Sequence, residues 1–510
     1  MEQLVTKLCI IGGSGGGMAA ALRARECGVD DIIILERNKM LGGTFRYVSG
    51  IFGVGTELQE KAGADIDIDY YYSKMMDHSN WSCDARLVRK WYGACRKILK
   101  WTQDSLGLEY YNLTAFSGTS LLFHQGGDRR FPTGTTLARL MEAKLRSDPS
   151  VRVFTETRAH RLLASPDGRV CGVLATGPDG AGYTIDAGCV ILATGSVSGN
   201  EALVKRFYHR DDYDQLKVMS KLPHNQGDGL TMAEAIGAST GAVSCLYIGP
   251  HNHPHNMRTG LVIRRSQVMK INCYGERFVN EALPNMEDLG WFECVSVDRQ
   301  PGKTVYGLMD QGLLDRMMRE RTNQTAVEAF QGNFTSDDST GDFDKENVVE
   351  LKSGASPAAW IDSLPEDLHK EAEAGRVFIG DTLDEVAGWV GCDRGTLQKS
   401  VDDYNRFCSQ GYDEDFLKDP MYLQPFTKGP YYCLRSYSGV DTFIGGLMIN
   451  HSQQVIRKSD WKPIPGLYAA GVLTSGWLGD NYGYYGSESS YTLYSGYACG
   501  ENAAGFLGPA

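Results

Sequence analysis

None of the 13 cysteines stands in a CxxC or CxxCH arrangement, which argues against a zinc ribbon, a c-type haem attachment or a locally ligated iron–sulfur cluster. Reduced and mostly buried thiols are expected instead. No long basic run occurs, and the formal net charge is −12, so nothing on the surface attracts a polyanion and nucleic acid is excluded as a partner. No apolar stretch is long enough to span a bilayer. The opening Met1-Glu-Gln-Leu-Val-Thr-Lys7 passes directly into the apolar run Leu8–Ile11, without a charged leader, a signal-type apolar region or a cleavage site. The expectation is a soluble cytoplasmic protein with no membrane span. Internal repeats and low-complexity tracts are also lacking.

What is present suits an enzyme. A chain of 510 residues, 42% hydrophobic, can bury a large core and exceeds one compact unit, so two domains are expected. Residues 7–36 read as a βαβ unit: an apolar strand to Ile11, a Gly-rich turn, a helix through Met18, and a second strand Ile32–Leu35. Helical spacing follows from Asp84 to Ser105 and from Gly134 to Arg146. Short strands are expected at Val151–Phe154, Arg169–Ala175 and Cys189–Ala193, with turns at Pro166-Asp-Gly and Pro178-Asp-Gly. Between about Ser244 and Thr382 the texture changes to mixed His, Met, Trp and charged residues, with Gln331–Lys345 reading as a solvated loop. Gly-rich motifs return from Gly445. The fold class is therefore α/β with an α+β cap: a Rossmann-like dinucleotide-binding domain in two parts, 1–243 and 383–510, with a substrate domain, 244–382, inserted between them.

The turn Gly12-Gly13-Ser14-Gly15-Gly16-Gly17 follows a strand and opens a helix. Backbone N–H groups and the helix dipole at such a turn hold a pyrophosphate. Glu36, at the end of the second strand, is placed to accept hydrogen bonds from ribose hydroxyls. One departure stands out: Ser14 occupies the position of the usual middle glycine, so its hydroxymethyl must point away from the phosphate or the register is shifted by one.

Four further motifs, Glu36-Arg-Asn-Lys-Met-Leu-Gly-Gly-Thr44, Ala193-Thr-Gly195, Gln226-Gly-Asp-Gly229 and Gly466-Leu-Tyr-Ala-Ala-Gly471, resemble the fumarate reductase and succinate dehydrogenase flavoprotein superfamily, which includes 3-ketosteroid dehydrogenases and urocanate reductases. The resemblance runs over nearly the whole chain and implies FAD. Carried over by position, the FAD-binding set is Gly12, Ser14, Gly15, Gly16, Gly17, Glu36, Gly43, Thr44, Ala159, Thr194, Gly195, Asp228 and Gly471, with Glu488 and Ser489 at the start of a final helix aimed at the flavin pyrimidine ring. Backbone N–H groups there would stabilise the charge of the reduced flavin. The residue after Gly43 is Thr44, with no His nearby, so non-covalent FAD is expected.

The segment Tyr274-Gly-Glu-Arg-Phe-Val-Asn-Glu281 looks like the family's cap signature. Just beyond it, where relatives carry a proton-transferring arginine or tyrosine, stands Asn285, whose amide has no useful acidity. Arg264 falls on the family's relay arginine, but the relay glutamate is replaced by Leu261. Gly479-Asp-Asn-Tyr482 replaces a Gly-x-Asn-Arg clamp for a substrate carboxylate, and Asp441-Thr-Phe replaces a substrate-binding histidine region. Tyr482, Gly486 and Gly496-Tyr497 keep the spacing of 3-ketosteroid dehydrogenases, in which a tyrosine hydroxyl and a glycine N–H grip a ketone oxygen. The competing expectation is that Tyr482, Tyr484 and Tyr485 only pack as an aromatic cluster. His251, His253 and His255 alternate on one loop. A substrate contact, with His253 the candidate, stands beside a plain surface loop, and no metal is expected.

The function expected is FAD-dependent reduction of the C=C bond of an α,β-unsaturated carbonyl substrate, neutral and steroid-like or aromatic, by hydride transfer from flavin N5. The alternatives are the reverse reaction, a 3-ketosteroid-type dehydrogenase, and a flavin electron-carrier subunit. No second nicotinamide fingerprint is present, so a separate electron donor or acceptor is expected besides the small-molecule substrate.

Overall fold

The computed structural model describes residues 2–114, 121–128, 131–208, 212–216, 223–251, 257–285, 292–322, 359–479 and 482–508. The apolar runs Leu8–Ile11 and Ile32–Leu35 lie side by side as parallel strands, Leu8 opposite Ile32 and Ile11 opposite Leu35. All eight side chains are buried, as continuous hydrophobic strands covered on both faces require. The helix Gly15–Glu26 makes the crossover between them. The first sheet has eight strands, in the order Gln454–Ile456, Pro463–Ala469, Gly182–Leu192, Glu2–Ile11, Ile32–Leu35 and Val151–Phe154, with the hairpin 158–164/170–176 joined beside Gly182–Leu192. Its central strands are parallel. Their carboxyl ends, Ile11, Leu35, Leu192 and Ala469, therefore share one edge, which is where open parallel sheets bind ligands.

Two helices fix the geometry behind that edge. The C-terminal helix Ser487–Leu507 packs on Gly15–Glu26 at backbone distance: a Cβ at Gly496 would stand 2.2 Å from Gly16 O, and one at Gly500 2.4 Å from Ala20 O. Spacing of four puts both glycines on one helix face. The helix Ala85–Leu106 starts on Asp84, whose carboxylate accepts from the N–H groups of Arg86 (2.9 Å) and Leu87 (3.1 Å), and ends on Gly107 in the left-handed region. Trp91 on its buried face donates from Nε1 to Ser490 Oγ at 2.9 Å, tying it to the C-terminal helix.

A second, antiparallel sheet has five strands. Thr240–His251, Tyr431–Leu447, Thr304–Asp310 and Met269–Ile271 lie in that order, and Val377–Gly380 also pairs with Tyr431–Leu447. The helices Leu383–Val390 and Arg394–Gln410 pack in its core, Val386, Leu397 and Tyr404 joining Met269, Ile271 and Leu308. The sequence-expected loop Gln331–Lys345 lies outside the described residues.

Beside this apolar core runs a buried row of charges. Lys270 pairs with Glu293, and the Lys270 N–H donates to Glu281 Oε1 at 3.1 Å. Glu281 takes Lys418 Nζ at 3.1 Å and two bonds from Arg277, at 2.9 and 2.8 Å. Arg277 also holds Asp413 at 2.9 and 2.6 Å. Burial pushes the Glu281 carboxyl up, but Lys418 and Arg277 outweigh it and hold the group at about 2. Charges this far from water are tolerable only when each meets its opposite.

Candidate active site

A cleft of about 1100 Å³, open to solvent, lies along the carboxyl edge of the parallel sheet. It is lined by Gly12, Ser14, Glu36, Gly43, Thr44, Ala159, Thr194, Gly195 and Asp228 among others. A second compartment of about 450 Å³ shares Ser14, Thr44, Ala193 and Gly195 with it and reaches Gly16, Gly471, Glu488 and Ser489. Fourteen of the fifteen residues that the sequence offers as cofactor contacts thus line one continuous groove except Gly15 and Gly17, which form its floor: a Cβ at Gly15 would enter the Phe45 ring at 2.5 Å, and one at Gly17 would meet Gly12 O at 1.9 Å.

 More strictly, thirteen of the fifteen line the groove, not fourteen, and Gly15 and Gly17 stand beneath it. The floor can come this close to a ligand only because it carries no side chains.

The chemistry of the groove fits a dinucleotide. Ser14 opens the helix Gly15–Glu26 without a side-chain cap, and no acidic residue stands in the first turn, so the first N–H groups and the positive end of the dipole face the groove. Glu36 is buried; Oε2 accepts from the Gly13 N–H at 2.9 Å and Oε1 from the Asn38 N–H at 2.8 Å. Burial pushes its carboxyl up, and these N–H groups together with Arg37 oppose the shift. Asp228 is bridged by two arginines: Arg37 at 3.2 Å, and Arg158 at 3.0 and 2.7 Å. Sequence reasoning found Asp228 but missed both partners, which lie far away in the chain. Thr194 Oγ1 accepts from the Gly229 N–H at 3.1 Å, and Gly471 N–H donates to Ser495 Oγ at 2.9 Å.

At the far end of the groove the C-terminal helix begins. Gly486 precedes it at φ 79°, and a Cβ there would stand 2.6 Å from Phe52 N, so only glycine fits. The Glu488 N–H donates to the Tyr482 hydroxyl at 3.2 Å, and Ser489 Oγ lies 2.9 Å from Gly50 O and 2.8 Å from Gly486 O. Tyr484 stacks on Phe52 at 5.4 Å and meets Tyr71 edge-on at 5.6 Å. Of the three tyrosines, Tyr484 therefore matches the aromatic-packing expectation, whereas Tyr482 has its hydroxyl at the helix start.

The second unit contributes less of what the sequence offers. Arg264 follows the helix Met257–Ile263 and is partly buried, and its charge acts on the Tyr485 hydroxyl. Asn285 ends the short turn Leu283–Asn285, and its side chain lies outside the described residues, as does the whole of His253. Among the described residues no helix is long and apolar enough to cross a membrane.

The family described as FAD binding domain matches residues 8–484. Vinyl phenol reductase of Lactiplantibacillus plantarum is 27% identical over 515 residues, covering 98% of this chain and 96% of its own. Urocanate reductase of Eggerthella lenta is 26% identical over 494 residues, covering 92% of this chain and 70% of its own. Among solved structures, 3-ketosteroid-delta4-(5alpha)-dehydrogenase from Rhodococcus jostii aligns with a TM-score of 0.74 at 20% identity, over 99% of this chain and 98% of that one. A flavocytochrome c3 fumarate reductase aligns with a TM-score of 0.68 at 21% identity, over 99% and 79%. At these identities the solved structures establish the fold.

Proposed function

The chain belongs to the FAD binding domain family, and we propose that it reduces the C=C bond of a neutral, aromatic or steroid-like substrate activated by a carbonyl or an equivalent oxygen. The cofactor is FAD, and the protein is a flavoprotein oxidoreductase acting on C=C groups. Bound FAD supplies two-electron redox chemistry. In this reading the residues that hold it are Glu36 at one end, the glycine floor in the middle, and the N–H groups at Glu488 and Ser489 at the other. Attachment is non-covalent, because Thr44 offers no histidyl link. The unit built on the second sheet, entered near residue 244, covers the substrate side; the strand Tyr431–Leu447 and the helices beyond residue 382 belong with it.

One observation carries the substrate reading: the Tyr482 hydroxyl accepts from the Glu488 N–H in the same turn as Gly486. Accepting there polarises the phenol and strengthens its own O–H as a donor to a substrate oxygen. A phenol in place of an arginine favours a neutral oxygen over a carboxylate. The neighbouring rings of Phe52, Tyr71 and Tyr484 give a flat ligand an apolar wall. The similarity to vinyl phenol reductase over nearly both whole chains supports the aromatic class. The test is anaerobic. FAD-loaded protein is reduced chemically and its reoxidation is followed with a vinyl phenol, an aromatic enoate, a 3-ketosteroid enone and fumarate. Reoxidation by a neutral alkene is expected, and fumarate as the only effective oxidant would refute the reading.

A further inference from the structure

Tyr485 stands where the two units meet. Its ring packs against the core of the dinucleotide-binding unit and also against that of the second unit, yet it remains partly exposed. Pockets between such units are common ligand sites. Neither neighbouring tyrosine shares this position: Tyr484 is stacked on Phe52, and the Tyr482 hydroxyl takes the Glu488 N–H. Behind Tyr485 lies the inner end of the buried row of charges. Glu293, on the helix Phe292–Asp298, is paired with Lys270, and both side chains are buried. Lys270 in turn reaches Glu281, which is held by Arg277 and Lys418.

Resting on the C=C reduction argued above, we propose that Tyr485 donates the proton in that reaction and that Glu293, held by Lys270, is a positioning residue that sets the charge around Arg264 and Tyr485. The alkene π bond breaks and two C–H bonds form. One carbon receives its hydrogen together with both electrons from reduced FAD, which is oxidised; the other receives the proton of the Tyr485 hydroxyl. Arg264 stabilises the phenolate left behind, and water restores its proton through the exposed part of the ring. The groups acting on the hydroxyl are Arg264, Cys294 and Glu293: burial pushes the phenol up, Arg264 pulls it down, and Cys294 and Glu293 push it up. The phenol therefore keeps its proton at neutral pH, as a donor must. Glu293 itself is pushed up by burial and drawn down by Lys270, with Glu281 raising and Arg264 lowering it. This arrangement supplies the acid that Asn285 cannot.

The experiment uses FAD-loaded protein, reduced anaerobically and reoxidised by whichever alkene is fastest with the parent. Tyr485→Phe is expected to slow reoxidation by about 100-fold or more, the span of general acid catalysis, to abolish the solvent deuterium isotope effect, and to leave the flavin spectrum and content unchanged. Glu293→Gln removes a negative charge near the phenol, which lowers its pKa, so the alkaline limb of the rate profile is expected to move to lower pH. A Tyr485→Phe rate within threefold of the parent, with the isotope effect retained, overturns the proposal alone. An alkaline limb unmoved in Glu293→Gln overturns the role of Glu293. A parent that no alkene reoxidises overturns the C=C reading and this proposal with it.

Discussion

Gly496→Ala is expected to loosen the C-terminal helix and the cofactor site together. The added methyl would stand 2.2 Å from Gly16 O, where ordinary contact begins at 3.4 Å, and the obstacle is backbone, which cannot rotate aside. The two helices must part by roughly 1 Å, and overpacking of this kind costs about 1–3 kcal/mol. Gly16 lines the inner compartment, as do Glu488 and Ser489 on the displaced helix. If the whole cost falls on the loaded state, FAD affinity drops by about 5- to 150-fold, at tenfold per 1.4 kcal/mol. Gly93→Ala is the control: it lies inside the helix Ala85–Leu106, and nothing stands within 4 Å of its added methyl. There the change is expected to stabilise by about 0.5–1 kcal/mol through helix propensity. Thermal unfolding of the loaded protein and FAD titration of the apoprotein read both effects. A Gly496→Ala variant as stable as the parent, with unchanged FAD affinity, would refute the close-approach argument.

Glu36→Gln is expected to raise the FAD dissociation constant at least tenfold in fluorescence titration, since bonds to a charged group contribute about 1.5–3 kcal/mol. Burial lowers the His124 imidazole from 6.5 to about 4, so between those values the unfolded chain binds the extra proton. Stability is then present in full above pH 6.5 and is lost as the pH falls towards 4, by about 3 kcal/mol from this group; urea midpoints across that window should fall less steeply in His124→Gln. Acid precipitation of the loaded protein should leave all the flavin in the supernatant, and flavin fluorescence on the denatured band would refute non-covalent attachment.

The parts of the molecule written in local sequence were legible in advance. The strands Leu8–Ile11 and Ile32–Leu35 announce themselves as apolar runs around a Gly-rich turn, because a strand buried on both faces has no polar positions. The strand Tyr431–Leu447 gives no such signal: it carries Arg435, Ser436 and Asp441, and its partners at 240–251, 304–310 and 377–380 are set by pairing across long stretches of chain. The same limit applies at the site. Glu36 is readable from its spacing after the turn, whereas the Arg37 and Arg158 bridge on Asp228 exists only once three distant segments have met. Tyr485 looked like one more packed ring because Arg264 and Glu293 come to it from another unit.

The buried row of charges has a consequence for recombination between relatives. Among the described residues it sets Lys270, Arg277 and Lys418 against Glu281, Glu293 and Asp413, drawing them from two segments more than a hundred positions apart. A chimera that exchanges 269–293 without 411–418 would leave an ion facing an alien partner with no water to screen it. These two stretches are thus inherited as one block, and a graft of the substrate-side unit should carry both.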